Sequence, residues 1–239
     1  MRPSAAVAAD PAGLIPSLRR QPLLLVLRPQ APLDAAPLLE RLVELGLRHV
    51  ELAFQESPHW RPQCRELIAA FPGLRLGAAS VCTVEALADC SAAGFSYVVS
   101  PILDGELVQQ AAAAGITLVP GVMSPTEVHQ ARLLGSPLVK LFPAHALGRA
   151  YWSGLRAPLG ALPFCIAAGG LSPADAIPWL RSGVDAVALG SSLSLDRSDD
   201  LPCPGEEPDA AVDPLEPLRL LLVELGRIGP ASEAATAAD

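Results

Sequence analysis

The chain has 239 residues, of which 51% are hydrophobic and 18% charged, and its formal net charge is −8. An acidic balance without a basic stripe argues against nucleic acid or an anionic membrane surface as the main partner, and no apolar stretch reaches membrane-spanning length. The five cysteines are odd in number and form no CxxC pair, so we expect reduced thiols in a cytoplasmic protein. The four histidines show no metal-ligand spacing, and we expect no metal.

Apolar runs and helical segments alternate along the chain. The runs predict strands at Leu23–Leu27, His49–Phe54, Leu74–Ala79, Tyr97–Ser100, Ile116–Pro120, Leu138–Phe142, Phe164–Ala168 and Asp185–Leu189. The helical periodicity predicts helices at Asp34–Leu45, Arg61–Ala70, Thr83–Ala92, Gly105–Ala114, Pro125–Leu134 and Pro173–Arg181. Eight strands at a pitch of roughly 20 residues predict a (β/α)8 TIM barrel. An open doubly wound sheet is the alternative, but no glycine-rich fingerprint follows the first strand.

The two ends of the chain differ in composition from this repeating part. We expect an N-terminal tail at 1–15, a single barrel domain at 16–194, an acidic proline-rich linker at 195–213, and a C-terminal helix and tail at 214–239. The helix, from Pro214 to Ile228, is amphipathic. It would cover the barrel bottom or a partner surface.

Lys140 is the only lysine in the chain, against sixteen arginines, and it lies in the apolar run Leu138–Pro143. A guanidinium cannot supply a neutral amine, whereas a buried lysine favours its uncharged, nucleophilic form. The alternative is a lysine-poor composition with Lys140 reaching solvent from a strand end. Burial and uniqueness favour a functional amine.

Glu51 lies inside another apolar strand. A buried carboxylate is costly unless it is paired, and Lys140 is the available amine. Alternation along barrel strands can bring both side chains into the lumen. There the amine would attack a substrate carbonyl to form a carbinolamine, and the carboxylate would transfer the protons. The alternative is a structural ion pair.

The active sites of such barrels lie at the carboxyl ends of the strands. The sequence places Arg28, Gln55, Ser80, Pro120 and Lys140 at or just after these ends. Two glycine turns, Gly169-Gly170 and Gly190-Ser191, follow the last two strands, where backbone amides often bind phosphate.

Five short motifs occur in a fixed order along the chain: VELAF at 50–54, GAASV at 77–81, VKLFP at 139–143, AGGLSP at 168–173 and LGSSL at 189–193. From about Leu23 to Leu193 the chain resembles the class I aldolases of 2-keto-3-deoxy-6-phosphogluconate, 4-hydroxy-2-oxoglutarate and 2-keto-3-deoxy-6-phosphogalactonate. The VKLFP lysine strand and its ordered pairing with VELAF are the most specific parts.

The resemblance implies a homotrimeric barrel that uses a lysine imine to split a 2-keto-3-deoxy-6-phospho sugar acid into pyruvate and glyceraldehyde 3-phosphate, as in the Entner–Doudoroff pathway. It needs no metal or organic cofactor. Lys140 would form the imine and Glu51 would move protons. The substrate carboxylate would be bound or positioned by Arg28, Gln55, Ser80 and Pro120, and Phe142 would form an apolar wall. The phosphate would be bound by Gly169, Gly170, Gly190 and Ser191.

Departures from the family pattern bear on the substrate. Gln55 and Arg28 match the phosphogalactonate branch, whereas Ala168 lacks a hydroxyl that the phosphogluconate branch has near the phosphate, and His145 replaces a glutamate. Three alternatives follow: 4-hydroxy-2-oxoglutarate cleavage or oxaloacetate decarboxylation by the same imine, a non-catalytic barrel that binds phosphorylated metabolites, and a phosphate-binding isomerase or synthase. The last does not account for Lys140.

Overall fold

The computed structural model describes residues 13–190 and 213–228. Parallel strands form the inner layer of the fold. Within these residues the strands are Leu23–Leu27 (β1), His49–Ala53 (β2), Arg75–Ala79 (β3), Tyr97–Val99 (β4), Thr117–Val119 (β5), Gly121–Val122 (β6), Leu138–Leu141 (β7), Phe164–Ala168 (β8) and Ala186–Leu189 (β9). Most strand residues are buried, as expected for a parallel sheet that is covered on both faces.

The fifth strand, predicted at Ile116–Pro120, extends beyond that range in two segments, β5 and β6, on either side of Pro120, which has no N–H to give to a ladder. β5 pairs with β4, and β6 pairs with β7. The sheet order β5-β4-β3-β2-β1-β9-β8-β7-β6 therefore closes on itself through Pro120. Because β5 and β6 are two segments of one strand position, the nine described strands occupy eight positions around the barrel. The prediction of a (β/α)8 barrel is confirmed.

Helices follow the strands in the alternating order that the sequence predicts. In the described residues they are Leu14–Arg20 (α1), Ala36–Glu44 (α2), Trp60–Ala70 (α3), Val84–Ala93 (α4), Gly105–Ala113 (α5), Pro125–Leu133 (α6), Ala144–Leu147 (α7), Ala150–Gly154 (α8), Arg156–Leu159 (α9), Pro173–Arg181 (α10) and Glu216–Ile228 (α11). The sequence did not predict α1 or α7–α9, because each has seven residues or fewer and shows too little periodicity. None of the described helices is long and apolar enough to span a bilayer.

Local sequence signals set the helix ends. Ser124 and Glu127 form a capping box at the start of α6: the Ser124 N–H donates to Glu127 Oε2 at 2.7 Å, and the Ser124 hydroxyl accepts from the Glu127 N–H. Gly94 ends α4 with a φ of 96°, a left-handed conformation that glycine adopts without strain.

Two apolar clusters divide the core. The inner cluster fills the barrel lumen with side chains from the strands and from α1, whose Leu14 and Leu18 are buried. Because α1 begins at Leu14, the barrel core starts within the predicted tail at 1–15. The outer cluster lies between the strands and the surrounding helices.

The C-terminal helix α11 is part of this outer layer. Its Leu218, Leu221 and Leu225 are buried in the outer cluster, it packs on α10, and Asp213 just before it pairs with Arg41 of α2. The helix therefore lies between α10 and α2, where the eighth helix of a (β/α)8 barrel belongs. The sequence predicted this helix as an addition that covers the barrel bottom or a partner surface, and the structure shows it packed in the outer helical layer. The predicted linker at 195–213 lies outside the described residues except for Asp213.

Candidate active site

Lys140 lies in the lumen on β7. Its side chain is 7% exposed, and its neighbour in the register of β8 is the lumen residue Ile166. Burial lowers the pKa of the Lys140 amine, with Arg28 acting in the same direction and Glu51 opposing it. The Nζ atom lies 4.8 Å from the centre of the Phe142 ring. Lys140 thus has the environment of a nucleophilic amine.

Glu51 lies in the same lumen, on β2. It is 1% exposed and stands between Val26 of β1 and Gly77 of β3 in the strand register. Burial raises the pKa of its carboxyl group to about 7, although the positive charges of Lys140 and Arg28 oppose this shift. A carboxyl group with such a pKa can both donate and accept a proton near neutral pH.

The two groups influence each other without forming a direct ion pair. Among the described residues no Lys140–Glu51 contact falls within 4.0 Å, although the charge of each shifts the pKa of the other. The interpretation of a structural ion pair is therefore not supported.

Arg28 and Gln55 belong to loops at the carboxyl ends of β1 and β2. The Gln55 amide donates to the Pro29 carbonyl at 2.6 Å and so ties these two loops together. Arg28 is exposed, and its Nη1 atom lies 3.5 Å from where a side chain on Gly190 would begin. Arg28 is thus a cation at the mouth of the lumen that acts on both Glu51 and Lys140.

Ser80 follows β3 at the same end of the barrel. Its φ of 62° is the only left-handed value of a non-glycine residue in the described chain. Such a conformation is strained for a residue with a β-carbon and is concentrated at functional sites. The sequence predicted the position of Ser80 but gave no sign of this strain.

The glycine turn after β8 is closely packed against the loop after β7. A β-carbon on Gly169 would lie 2.8 Å from the Phe142 ring, and one on Gly170 would lie 2.8 Å from the β-carbon of His145. Both glycines also have positive φ. Gly190 follows β9 directly, and Ser191 lies outside the described residues.

Sequence reasoning missed Tyr97. This tyrosine of β4 is fully buried in the lumen, and its ring covers Gly77, the register neighbour of Glu51. A polar-tipped aromatic residue within an apolar strand was the available signal, because a buried tyrosine hydroxyl usually has a partner.

Fold and site together define the class of protein. It is a parallel (β/α)8 barrel whose described lumen holds a buried amine and a buried carboxyl group, with Arg28, the Gly169-Gly170 turn and Gly190 at the same end. Comparisons with known proteins agree with this class. The family model of KDPG and KHG aldolases matches residues 14–201, and the chain belongs to that family. It is an aldolase, a carbon–carbon lyase.

Similar proteins carry related names. The chain is 29% identical to the 2-dehydro-3-deoxy-6-phosphogalactonate aldolase of Escherichia coli K12, over 72% of this chain and 84% of that one. It is 32% identical to a probable enzyme of the same name from Rhizobium meliloti, over 75% and 84%. A solved structure of native KDPGal superposes with a TM-score of 0.71 at 26% identity, covering 87% of this chain and 96% of that one.

Proposed function

We propose that this aldolase cleaves a 2-keto-3-deoxy-6-phospho sugar acid, of the phosphogalactonate or phosphogluconate type, to pyruvate and glyceraldehyde 3-phosphate through an imine on Lys140. The observation that carries the proposal is the single lysine of the chain, buried in the lumen with a lowered pKa and facing a carboxyl group whose pKa is about 7. The names of the similar proteins support the substrate class.

Imine formation uses both groups. The neutral Lys140 amine attacks the C2 ketone of the substrate, and the C–N bond forms as the carbonyl π-bond breaks. One proton then passes from the new ammonium to the oxygen, which becomes the hydroxyl of a carbinolamine. Glu51 in its protonated form gives a proton to the resulting hydroxyl, and the hydroxyl leaves as water. The product is a protonated imine and a Glu51 carboxylate.

Cleavage then needs the carboxylate that this step has produced. Glu51 takes the proton of the C4 hydroxyl, the C4 oxygen becomes a carbonyl, and the electrons of the C3–C4 bond move into the imine. Glyceraldehyde 3-phosphate leaves, and an enamine of pyruvate stays on Lys140. A proton returned to C3 and addition of water release pyruvate, so the water lost in imine formation is restored.

The rim residues supply recognition in this proposal. Arg28 binds the substrate carboxylate, helped by Gln55 and by the Ser80 hydroxyl; Pro120 positions the lysine strand, and Phe142 forms an apolar wall beside the imine. The amides of Gly169, Gly170 and Gly190, with Ser191, bind the phosphate. Support comes from the location of the described members at one end of the barrel and from the absence of side chains at the glycines.

A second substrate class uses the same imine. The matched family also includes KHG aldolases, and Ala168 offers no hydroxyl beside the glycine turn. Cleavage of 4-hydroxy-2-oxoglutarate or decarboxylation of oxaloacetate would need no phosphate site. Comparing kcat/KM for phosphorylated and unphosphorylated substrates decides between the classes.

We also propose a cytoplasmic homotrimer. The four described cysteines are free thiols, as expected in a reducing compartment. Ile102 and Met123 are each 46% exposed on neighbouring loops, joined by the bond from the Gly121 N–H to the Ile102 carbonyl. Analytical ultracentrifugation tests the assembly: a trimer that persists at micromolar concentration supports it, and a monomer contradicts it.

Borohydride trapping with pyruvate tests the imine. Reduction should fix one pyruvyl group on the protein, and peptide mapping should place it on Lys140, since the only other amine is the N-terminus. An Arg65→Lys variant is a matched control, because it adds an exposed second lysine on the outer helix α3 that should remain unmodified. No adduct on folded protein would overturn the proposal.

A further inference from the structure

Two buried polar atoms in the lumen have no hydrogen-bond partner among the described residues: Oε2 of Glu51 and the hydroxyl of Tyr97. Tyr97 is fully buried and Glu51 is 1% exposed. Leaving such groups without partners is costly, and buried polar atoms are usually satisfied by protein or by internal water. One internal water between the two groups would supply a partner to both.

The strand register directs the Tyr97 hydroxyl toward Glu51. Gly77 of β3 pairs with Tyr97 of β4 on one side and with Glu51 of β2 on the other. The Cζ atom of Tyr97 lies 2.3 Å from where a β-carbon of Gly77 would be, so the far end of the ring crosses β3. The hydroxyl, which extends beyond Cζ, continues toward β2 and its glutamate.

We propose that Tyr97 is a positioning residue for Glu51: its hydroxyl donates a hydrogen bond to one internal water, which in turn donates to Glu51 Oε2. The two groups form no direct hydrogen bond, and a water can bridge them. This arrangement stabilises the Glu51 carboxylate and fixes one of its oxygens, leaving the other to move protons. The effect of Tyr97 on catalysis rests on the proposed function, but the water-mediated contact between Tyr97 and Glu51 does not.

The charges around the pair are consistent with a donor role for Tyr97. Glu51 faces Lys140 and Arg28 as well as Tyr97, and Arg75 acts on Tyr97. Burial, and next the charge of Glu51, hold the pKa of the Tyr97 phenol well above its usual value. The phenol therefore stays protonated wherever the carboxyl group titrates, and in that state it can donate.

Tyr97→Phe tests the inference, because it keeps the ring over Gly77 and removes only the hydroxyl. A hydrogen bond to the charged form lowers the pKa of a carboxyl group, so its loss should raise the pKa of Glu51 by roughly half a unit or more. Infrared titration of the carboxyl band that disappears in Glu51→Gln measures this directly. The exchange of pyruvate methyl protons with deuterated water, followed by NMR, should slow by about tenfold, with its acid limb displaced to higher pH.

The second tyrosine supplies the matched control. The Tyr151 hydroxyl donates to the Met123 carbonyl at 2.7 Å, outside the lumen. Tyr151→Phe should therefore leave both the infrared titration of Glu51 and the pH profile of proton exchange unchanged. Superimposable Glu51 titrations in Tyr97→Phe and the unchanged protein would overturn the inference. Failure of the proposed function is distinguishable, because the unchanged protein would then give no trapped adduct while the infrared titration still reports the contact.

Discussion

The backbone N–H of Lys140 donates to the carbonyl of Pro120 at 2.8 Å. This bond also belongs to the strand pairing that closes the barrel. Pro120 divides the fifth strand position into β5, which pairs with β4, and β6, which pairs with β7. The closure of the fold and the placement of the amine thus depend on one register. A shift of one residue would turn Lys140 out of the lumen.

Lys140→Arg should abolish turnover and leave the fold intact. Arginine keeps the positive charge and most of the length, but its guanidinium stays protonated and cannot attack a ketone. We expect kcat to fall by roughly 10⁴-fold or more, the size of loss seen when a nucleophile is removed. Pyruvate release coupled to lactate dehydrogenase measures the rate, and circular dichroism checks the fold. Turnover near the original level would exclude the imine mechanism.

Glu51→Gln should slow turnover by ~10²–10⁴-fold, the usual contribution of a general acid–base group. In the unchanged protein, cleavage needs the carboxylate, and burial raises the pKa of Glu51 to about 7. The rate should therefore decline as pH falls through about 7, and this limb should be lost in the variant. Glu66→Gln, an exposed change on α3, should retain the original rate and profile. If Glu51→Gln kept the limb, another group would be responsible for it.

Arg28→Gln should raise KM for the keto acid by roughly 10–100-fold, since a hydrogen bond to a charged group contributes about 1.5–3 kcal/mol. The Lys140 pKa should also rise, because Arg28 lowers it. Initial rates across substrate concentration separate KM from kcat. Arg61→Gln is the control, since Arg61 forms an exposed ion pair with Asp89 on the outer helices. Equal KM values for the two variants would remove Arg28 from carboxylate binding.

Gly77→Ala should destabilise the barrel strongly, because the new methyl group would lie 2.3–2.7 Å from three ring atoms of Tyr97. Overpacking of this kind costs about 1–3 kcal/mol or more. Gly73→Ala is the matched control: no atom lies within 4 Å of its β-carbon position. Urea denaturation compares the two variants, and equal midpoints would show that the ring does not cover Gly77.

The sequence was sufficient to predict the fold and the burial of Lys140 and Glu51 in strands, because the strands and these two charges produce strong local patterns. The recurring apolar runs predict the number of strands in the barrel, and Lys140 and Glu51 are recognisable as charged residues within such runs. The relation of Tyr97 to Glu51 was not predictable, since it depends on Gly77 of the strand between them, which gives no periodic signal. The strain at Ser80 and the place of α11 in the outer layer likewise depend on tertiary packing.

His49, at the amino end of β2, should make the fold sensitive to acid. Its Nδ1 lies 3.2 Å from the Leu23 carbonyl and must donate to it, so Nε2 accepts from the Ser17 hydroxyl at 2.8 Å. This neutral histidine joins α1 to the barrel floor. Burial lowers its pKa from 6.5 to about 4. The folded state therefore binds fewer protons than the unfolded state in this range, and stability present above pH 6.5 is lost as pH falls through about 4.

The expected loss is roughly 3 kcal/mol in the free energy of unfolding, from the difference between the two pKa values. His49→Gln removes the titrating group, so unfolding free energies measured in urea should vary less between pH 7 and 4, although the variant is less stable at pH 7. The exposed His129 provides the comparison, because His129→Gln should keep the original pH dependence. If His49→Gln kept the full acid dependence, other groups would be responsible for it.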